Sequence, residues 1–145
     1  MTSKVKPVPE GYHTVTPYLT VQDAAGLLEF VRQAFGAVET YRMSGPDGAI
    51  RHAEVRIGDS MVMVGQARDE WKPRPASLYL YVPDVDATHR AAVAAGGRSI
   101  QEPTTHLYGD RSGAVEDSQG NQWWIATHVE DVPPEEIERR ATAQG

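Results

Sequence analysis

One short segment of this chain occurs twice. Tyr18-Leu19-Thr20-Val21-Gln22-Asp23 and Tyr79-Leu80-Tyr81-Val82-Pro83-Asp84 agree at four of six positions and lie 61 residues apart. Gly36 and Gly97 repeat that spacing, and the Gly58 and Gly120 turns repeat it to within one residue. Matches at one offset, in the same structural roles, point to an internal duplication. The chain is then expected to build two copies of one supersecondary unit.

The pattern within each copy names that unit. A strand over about Tyr12 to Val21 leads to a helix over roughly Ala24 to Phe35. Asp23 is placed to cap its free N–H groups, and Gly36 to close it in the left-handed region. Leu27, Leu28, Val31 and Phe35 recur at helical spacing and mark one face. Val38 to Met43, Ile50 to Ile57 and Met61 to Val64 read as three further strands, separated by Ser44-Gly45-Pro46-Asp47-Gly48 and Gly58-Asp59-Ser60 turns. The second copy gives a strand over Leu78 to Val82, and a helix capped by Asp84 or Asp86 that runs to about Ala95. Strands follow at Ser99 to Glu102, Ala114 to Asp117 and Gln122 to His128, with a turn at Tyr108 to Ser112. The expectation is one α+β domain over 1–145: a βαβββ module at 12–66, a polar linker at 67–76 and a second module at 77–128. A short C-terminal helix at 133–142 is expected from its order of prolines and acids first, arginines last.

Composition narrows the class. The net charge is -6, with Lys and Arg scattered rather than gathered in a stripe, which argues against nucleic acid and against acidic membrane surfaces. No apolar run approaches membrane-spanning length. The absence of cysteine removes disulfides, a thiolate nucleophile and a Cys-based zinc site, and fits the cytoplasm. No phosphate loop, dinucleotide fingerprint or Ser-His-Asp order stands out.

Several stretches together resemble the vicinal oxygen chelate superfamily of glyoxalases, bleomycin-resistance proteins and dioxygenases, in particular its PhnB-like branch. They are Pro17 to Ala25, Ala34-Phe35-Gly36-Ala37, Tyr41 to Gly48, His52 to Ser60, Tyr108-Gly109-Asp110-Arg111 and Trp124 to His128. The resemblance implies a curved mixed sheet around a central cleft or cup, and a homodimer. Exposed sheet edges point to a partner copy as well.

Strand alternation then assigns sides. Val15, Leu19 and Val21 are expected beneath the first helix, and Thr16, Tyr18 and Thr20 toward the cup. His52, Glu54 and Arg56 face it from the third strand, Met61 and Met63 from the fourth. Ser77, Tyr79 and Tyr81 face it from the fifth, and Trp124 and His128 from the eighth. Tyr108 joins Tyr18 and Tyr79 in the surrounding wall, and Arg111 belongs to the same set. The expected ligand-binding set is thus Thr16, Tyr18, His52, Glu54, Met61, Met63, Ser77, Tyr79, Tyr108, Arg111 and Trp124, with Trp124 the anchor. Aromatics, methionines and a few polar groups suit an adaptable pocket for organic compounds. Plainer readings stand beside these: Trp123 as core, Tyr79 and Tyr81 as cross-strand pairs, Gly109-Asp110-Arg111 as a turn with a local ion pair, and residues 68–74 as a solvated linker. His13 and His89 read as surface residues.

Catalytic members of the superfamily hold a divalent metal, and the resemblance maps its ligand positions onto Thr16, Met63, Ser77 and Trp124. Hydroxyl, thioether and indole groups are poor partners for such a cation. No cofactor or metal is therefore expected. Three readings follow. The first is a metal-free binder of an aromatic or planar compound such as an antibiotic. The second is a lyase or isomerase with a relocated acid–base or metal site at the catalytic candidates His52 and Glu54, on which His128 or His106 could converge. The third is an accessory domain whose cup serves no ligand.

Overall fold

The computed structural model describes residues 4–144. Its elements are β1 (Tyr18–Val21), α1 (Ala24–Phe35), β2 (Val38–Ser44), β3 (Ile50–Ile57), β4 (Ser60–Gln66), β5 (Ser77–Tyr81), α2 (Val85–Ala94), β6 (Arg98–Thr105), β7 (Asp110–Glu116), β8 (Gln122–His128) and α3 (Pro134–Ala143). The chain divides into two units, with the boundary between Pro75 and Ala76. Each unit holds one four-stranded mixed sheet, ordered β1-β4-β3-β2 in the first and β5-β8-β7-β6 in the second. The fold is α+β in two tandem modules, and the repeat is visible in its details. Tyr18 lies opposite Met63 and Tyr79 opposite Trp124, both pairs parallel. Asp23 accepts from the Gly26 N–H at 2.9 Å, and Asp84 from the Ala87 N–H at 3.1 Å. The repeat departs from the sequence spacing at one helix end: the left-handed residue after α2 is Gly96 (φ 108°), not Gly97, because α2 is the shorter helix.

In the first unit, α1 lays Leu27, Leu28, Val31 and Ala34 on a sheet face made by Leu19, Val21, Ala53, Val55, Val62 and Val64, all buried. Each aliphatic side chain so enclosed contributes roughly 1.5–3 kcal/mol. In the second unit Val85, His89 and Ala92 form the buried stripe of α2. Beneath it lie Val115, Trp123 and Ile125, each fully buried. The Trp123 indole N–H donates to Asp117 at 2.8 Å, so the ring carries no unpaired polar atom into the core. Asp117 also accepts from the Gln119 and Asn121 backbone N–H groups at 2.8 and 3.0 Å, which shapes the turn into β8.

Five sequence expectations are corrected. The first strand begins at Tyr18 rather than Tyr12, since only Tyr18–Val21 pair with β4 and Pro17 has no N–H to extend the ladder. Val15 is consequently 82% exposed instead of lying under α1. The sixth strand runs on to Thr105 through Pro103, which an edge strand tolerates where the register shifts between Gln101 and Thr104. The turn expected at Tyr108 to Ser112 closes earlier, from His106 to Gly109, and β7 starts at Asp110. His89 is buried rather than on the surface: Gly113 lacks the Cβ that would crowd its ring, and Nε2 meets the Ser99 hydroxyl at 3.2 Å. Among the described residues, no helix is long and apolar enough to cross a membrane.

Candidate functional site

Each sheet has one face covered by its helix and one face without a helix. The pairing register fixes which side chains share the latter. In the first unit it places Tyr18 and Glu54 opposite Met63, His52 opposite Gly65 and Arg56 opposite Met61. Four polar groups there form a chain. The Tyr12 hydroxyl donates to one Glu54 carboxylate oxygen, and the other oxygen lies 2.9 Å from His52 Nε2. His52 Nδ1 faces the Tyr18 hydroxyl at 3.3 Å. With Glu54 ionised, Nε2 carries the proton toward it and Nδ1 becomes the acceptor for Tyr18, a tautomer set by the network. The hydrogen bond from Tyr12, reinforced by that from His52, holds the Glu54 carboxyl below the usual range against the opposing effect of burial. Burial, together with Glu54, pushes the Tyr12 phenol up to about 12.

Beside this chain lies a cavity of about 450 Å³, lined by Tyr18, Thr20, Met43, Arg51, His52, Gly65, Gln66, Arg68 and Trp71. Trp71 arrives on a tight turn in which Arg68 and Trp71 exchange two backbone hydrogen bonds, of 2.7 and 3.0 Å. Asp69 at its tip adopts φ 47°, a left-handed conformation that aspartate accepts more readily than most residues. The Arg74 N–H donates to the Thr20 carbonyl at 3.1 Å, tying the same segment to β1. The stretch that reads as a polar connection in the sequence thus forms one wall of the cavity.

The helix-free face of the second unit is organised differently. The Asp110 carboxylate is 4% exposed and accepts from the Tyr79 and Tyr81 hydroxyls at 2.8 and 2.9 Å. His128 Nδ1 approaches it at 2.9 Å, and Nε2 meets Asp131 at 2.7 Å. Burial pulls the Asp110 carboxyl upward most strongly. The hydrogen bonds from His128, Tyr79 and Tyr81 together outweigh it and leave the group below its ordinary value. His128 is held above its ordinary value, first by Asp110 and then by Asp131. Tyr108 stacks on His106 at 5.2 Å.

Of the expected site residues, Tyr18, His52 and Glu54 are brought together, with Met63 beside Tyr18 and Glu54 and Met61 buried along the same face. Only Tyr18 and His52 of that set line the cavity. Thr16 precedes β1 and is half-buried. Ser77, Tyr79 and Trp124 share the helix-free face of the second unit. Arg111 lies on the opposite, helix-bearing side, where its guanidinium grips Asp86 of α2 through two hydrogen bonds of 2.9 Å. Sequence reasoning missed Tyr12, Asp110, Arg68 and Trp71. A tryptophan in a polar, proline-rich stretch was the available signal, since such a ring is seldom left in solvent without a use.

The superfamily metal does not fit these residues. At the four mapped positions stand two hydroxyls, a thioether and an indole that only donates. His52 and Glu54 supply two donors already committed to each other, and among the described residues no group of three His, Cys, Asp or Glu gathers.

Comparison with known proteins agrees with the architecture. The chain is similar to an uncharacterised protein of Mycobacterium bovis, 34% identical over 90% of this chain and 93% of that one. An uncharacterised protein of Mycobacterium tuberculosis is also 34% identical, over 90% of this chain and 84% of its own length. Among solved structures, TioX from Micromonospora sp. ML1 superposes with a TM-score of 0.70 at 24% identity, covering 79% of this chain and 98% of that one. A glyoxalase/bleomycin resistance protein/dioxygenase family enzyme from Burkholderia phytofirmans PsJN gives 0.64 at 18% identity, over 79% and 97%. These likenesses are of fold. With the model of the Glyoxalase/Bleomycin resistance protein/Dioxygenase superfamily matching residues 12–125, the chain belongs to that superfamily.

Proposed function

We propose that this protein is a metal-free binder that sequesters a small planar or aromatic compound, such as an antibiotic, and that the cavity of the first unit is its site. The observation that carries this reading is the cavity itself. Its volume of about 450 Å³ suits a ligand of two or three fused rings. Tyr18, His52 and Trp71 offer it ring faces, and Met43 offers a polarisable edge. A thermal-shift and fluorescence screen of planar aromatic compounds tests the proposal. A ligand that binds only the folded chain must raise the melting temperature. Trp71→Ala should then weaken its binding by about tenfold or more, the scale of an aromatic anchor. Unchanged binding after that substitution would move the site elsewhere.

A second reading rests on the 2.9 Å contact of His52 with Glu54. A carboxylate-oriented imidazole at a cavity wall is the arrangement of a general base. His52→Gln separates the two readings: a binder loses only the affinity that the His52 ring face supplies, whereas an enzyme also loses its turnover of bound substrate. The exposed edge strand β2 supports a homodimer as well, and light scattering at high micromolar concentration tests it.

A further inference from the structure

We infer that the cavity selects a planar organic anion, with Arg51 and Arg68 meeting its carboxylate, sulfonate or phosphate group. The inference rests on the reading of the cavity as the ligand site. The chain carries 20 acidic and 14 basic residues, so a surface patch taken at random should be acidic. The lining departs from that: it holds two arginines and no carboxylate.

The state of those arginines is the second observation. Arg32, Arg42, Arg98, Arg111, Arg139 and Arg140 each hydrogen-bond a carboxylate. Among the described residues, Arg51 approaches one acid, Asp47, at 3.8 Å, beyond hydrogen-bond reach, while that carboxylate accepts from the Ala49 N–H at 3.1 Å. Asp69 and Glu70, in the turn beside Arg68, make no ion pair with it, and its side chain has no hydrogen-bond partner among the described residues. Glu54, the acid nearest in the network, is held by Tyr12 and His52. Arg56, Arg74 and Arg90 also hydrogen-bond no carboxylate among the described residues, but none of the three lines the cavity. Two guanidinium groups with unspent donors, set beside ring faces, match a ligand that is flat and negatively charged at one end.

The flatness has its own cause. A Cβ at Gly65 would stand 2.6 Å from the Tyr18 hydroxyl, so the Tyr18 ring lies directly over the Gly65 backbone. This leaves a smooth floor between β1 and β4 that a planar ring can cover.

Matched probe pairs test the inference on the full chain: benzoate and benzamide, 2-naphthoate and 2-naphthamide, anthracene-9-carboxylate and its amide, titrated by calorimetry at low and high salt. In at least one pair the acid should bind tenfold or more tightly than the amide, with the margin shrinking as salt rises. Arg68→Gln, at an exposed turn position, should cut that preference several-fold without lowering the melting temperature, and Arg51→Gln should do the same. Equal affinity for acid and amide would overturn the anion inference and leave the binding reading standing, as would a preference that survives both substitutions. Failure of every acid and amide to bind the wild-type chain would overturn both.

Discussion

Met63 and Trp124 hold the same place in the two units, and almost everything that distinguishes the two helix-free faces follows from that difference. Met63 lies opposite Tyr18 on one side and Glu54 on the other; Trp124 lies opposite Tyr79 and Ala114. Where the central residue is slender, its neighbour is a glutamate that gathers Tyr12 and His52. Where it is an indole, the neighbour shrinks to a fully buried alanine. One strand position away, His52 opposite Gly65 corresponds to Ser112 opposite Ala126. The second unit keeps its carboxylates on this face at the two ends of β7: Glu116, paired with Arg98, and Asp110, closed off by two phenols and an imidazole. Duplication supplied the same backbone twice. Side-chain volume at a few paired positions decided that one face holds a cavity beside a polar chain and the other a sealed carboxylate.

The adjacent tryptophans give the strongest test of these assignments. Trp123→Ala should cost roughly 3–5 kcal/mol in chemical denaturation, since it empties a fully enclosed site and strips Asp117 of a donor. Trp124→Ala, on the half-buried side, should cost only about 1–2 kcal/mol. The same variant beside Trp71→Ala asks which unit carries the ligand: a probe lost with Trp124 and kept without Trp71 would transfer the site to the second unit.

Reciprocal exchange probes the volume argument. Ala114→Glu forces a carboxyl group into a closed position against Trp124 and should destabilise by about 3 kcal/mol or more. Glu54→Ala loses two hydrogen bonds at a half-exposed position and should cost about 1 kcal/mol. Similar losses for both would break the proposed difference between the faces.

A smaller effect separates the units by pH. Asp110 and Glu54 are lowered in the folded chain, so their contributions are present above the ordinary carboxylate range and fade as pH falls through their folded values. His128 is raised, so its contribution is complete below about 6.5, the ordinary imidazole value, and is lost as pH rises through the folded value. Melting temperature should therefore decline on passing above neutrality. His128→Gln should remove that decline while leaving the acid limb in place; an unchanged alkaline limb would place its origin elsewhere.

The smallest change in stability is expected for Gly65→Ala. The atoms nearest the added methyl belong to the far end of the Tyr18 side chain, which is 54% exposed and can swing away. The cost should stay below about 1 kcal/mol, yet Tyr18 should leave His52 and the cavity floor should be disrupted, seen as weaker binding of whichever probe the cavity takes.

Much of this was legible in the sequence, for identifiable reasons. The span of α1 follows from its aspartate cap, its apolar spacing and Gly36. The separation of Trp123 from Trp124 follows from strict alternation along β8. Arg111 escaped because the sequence reads Tyr108 to Ser112 as a turn, and a turn has no parity; once β7 starts at Asp110, alternation sends Arg111 to the helix side. His89 escaped because a polar residue on a helix reads as exposed unless the glycine beneath it, 24 positions along the chain at Gly113, is known to be there. Arg51 escaped because alternation along β3 places it with Ala53 and Val55; Trp71 and Arg68 escaped because a segment without periodicity says nothing about where it folds back. What brings it over the sheet is a backbone contact between Arg74 and Thr20.

The turn before β8 bears on the order in which the chain organises itself. Every donor that Asp117 gathers lies within six residues of it, from Gln119 to Trp123. Closing so short a loop costs little chain entropy. The matching turn of the first unit has no such collector among the described residues, where Asp59 accepts from the neighbouring Ser60 hydroxyl alone. The β7–β8 hairpin is therefore the expected nucleus, with its pairing established in the transition state while β5 and β6 still wander. Weakening Asp117 would then act on the rate of folding far more than on the rate of unfolding.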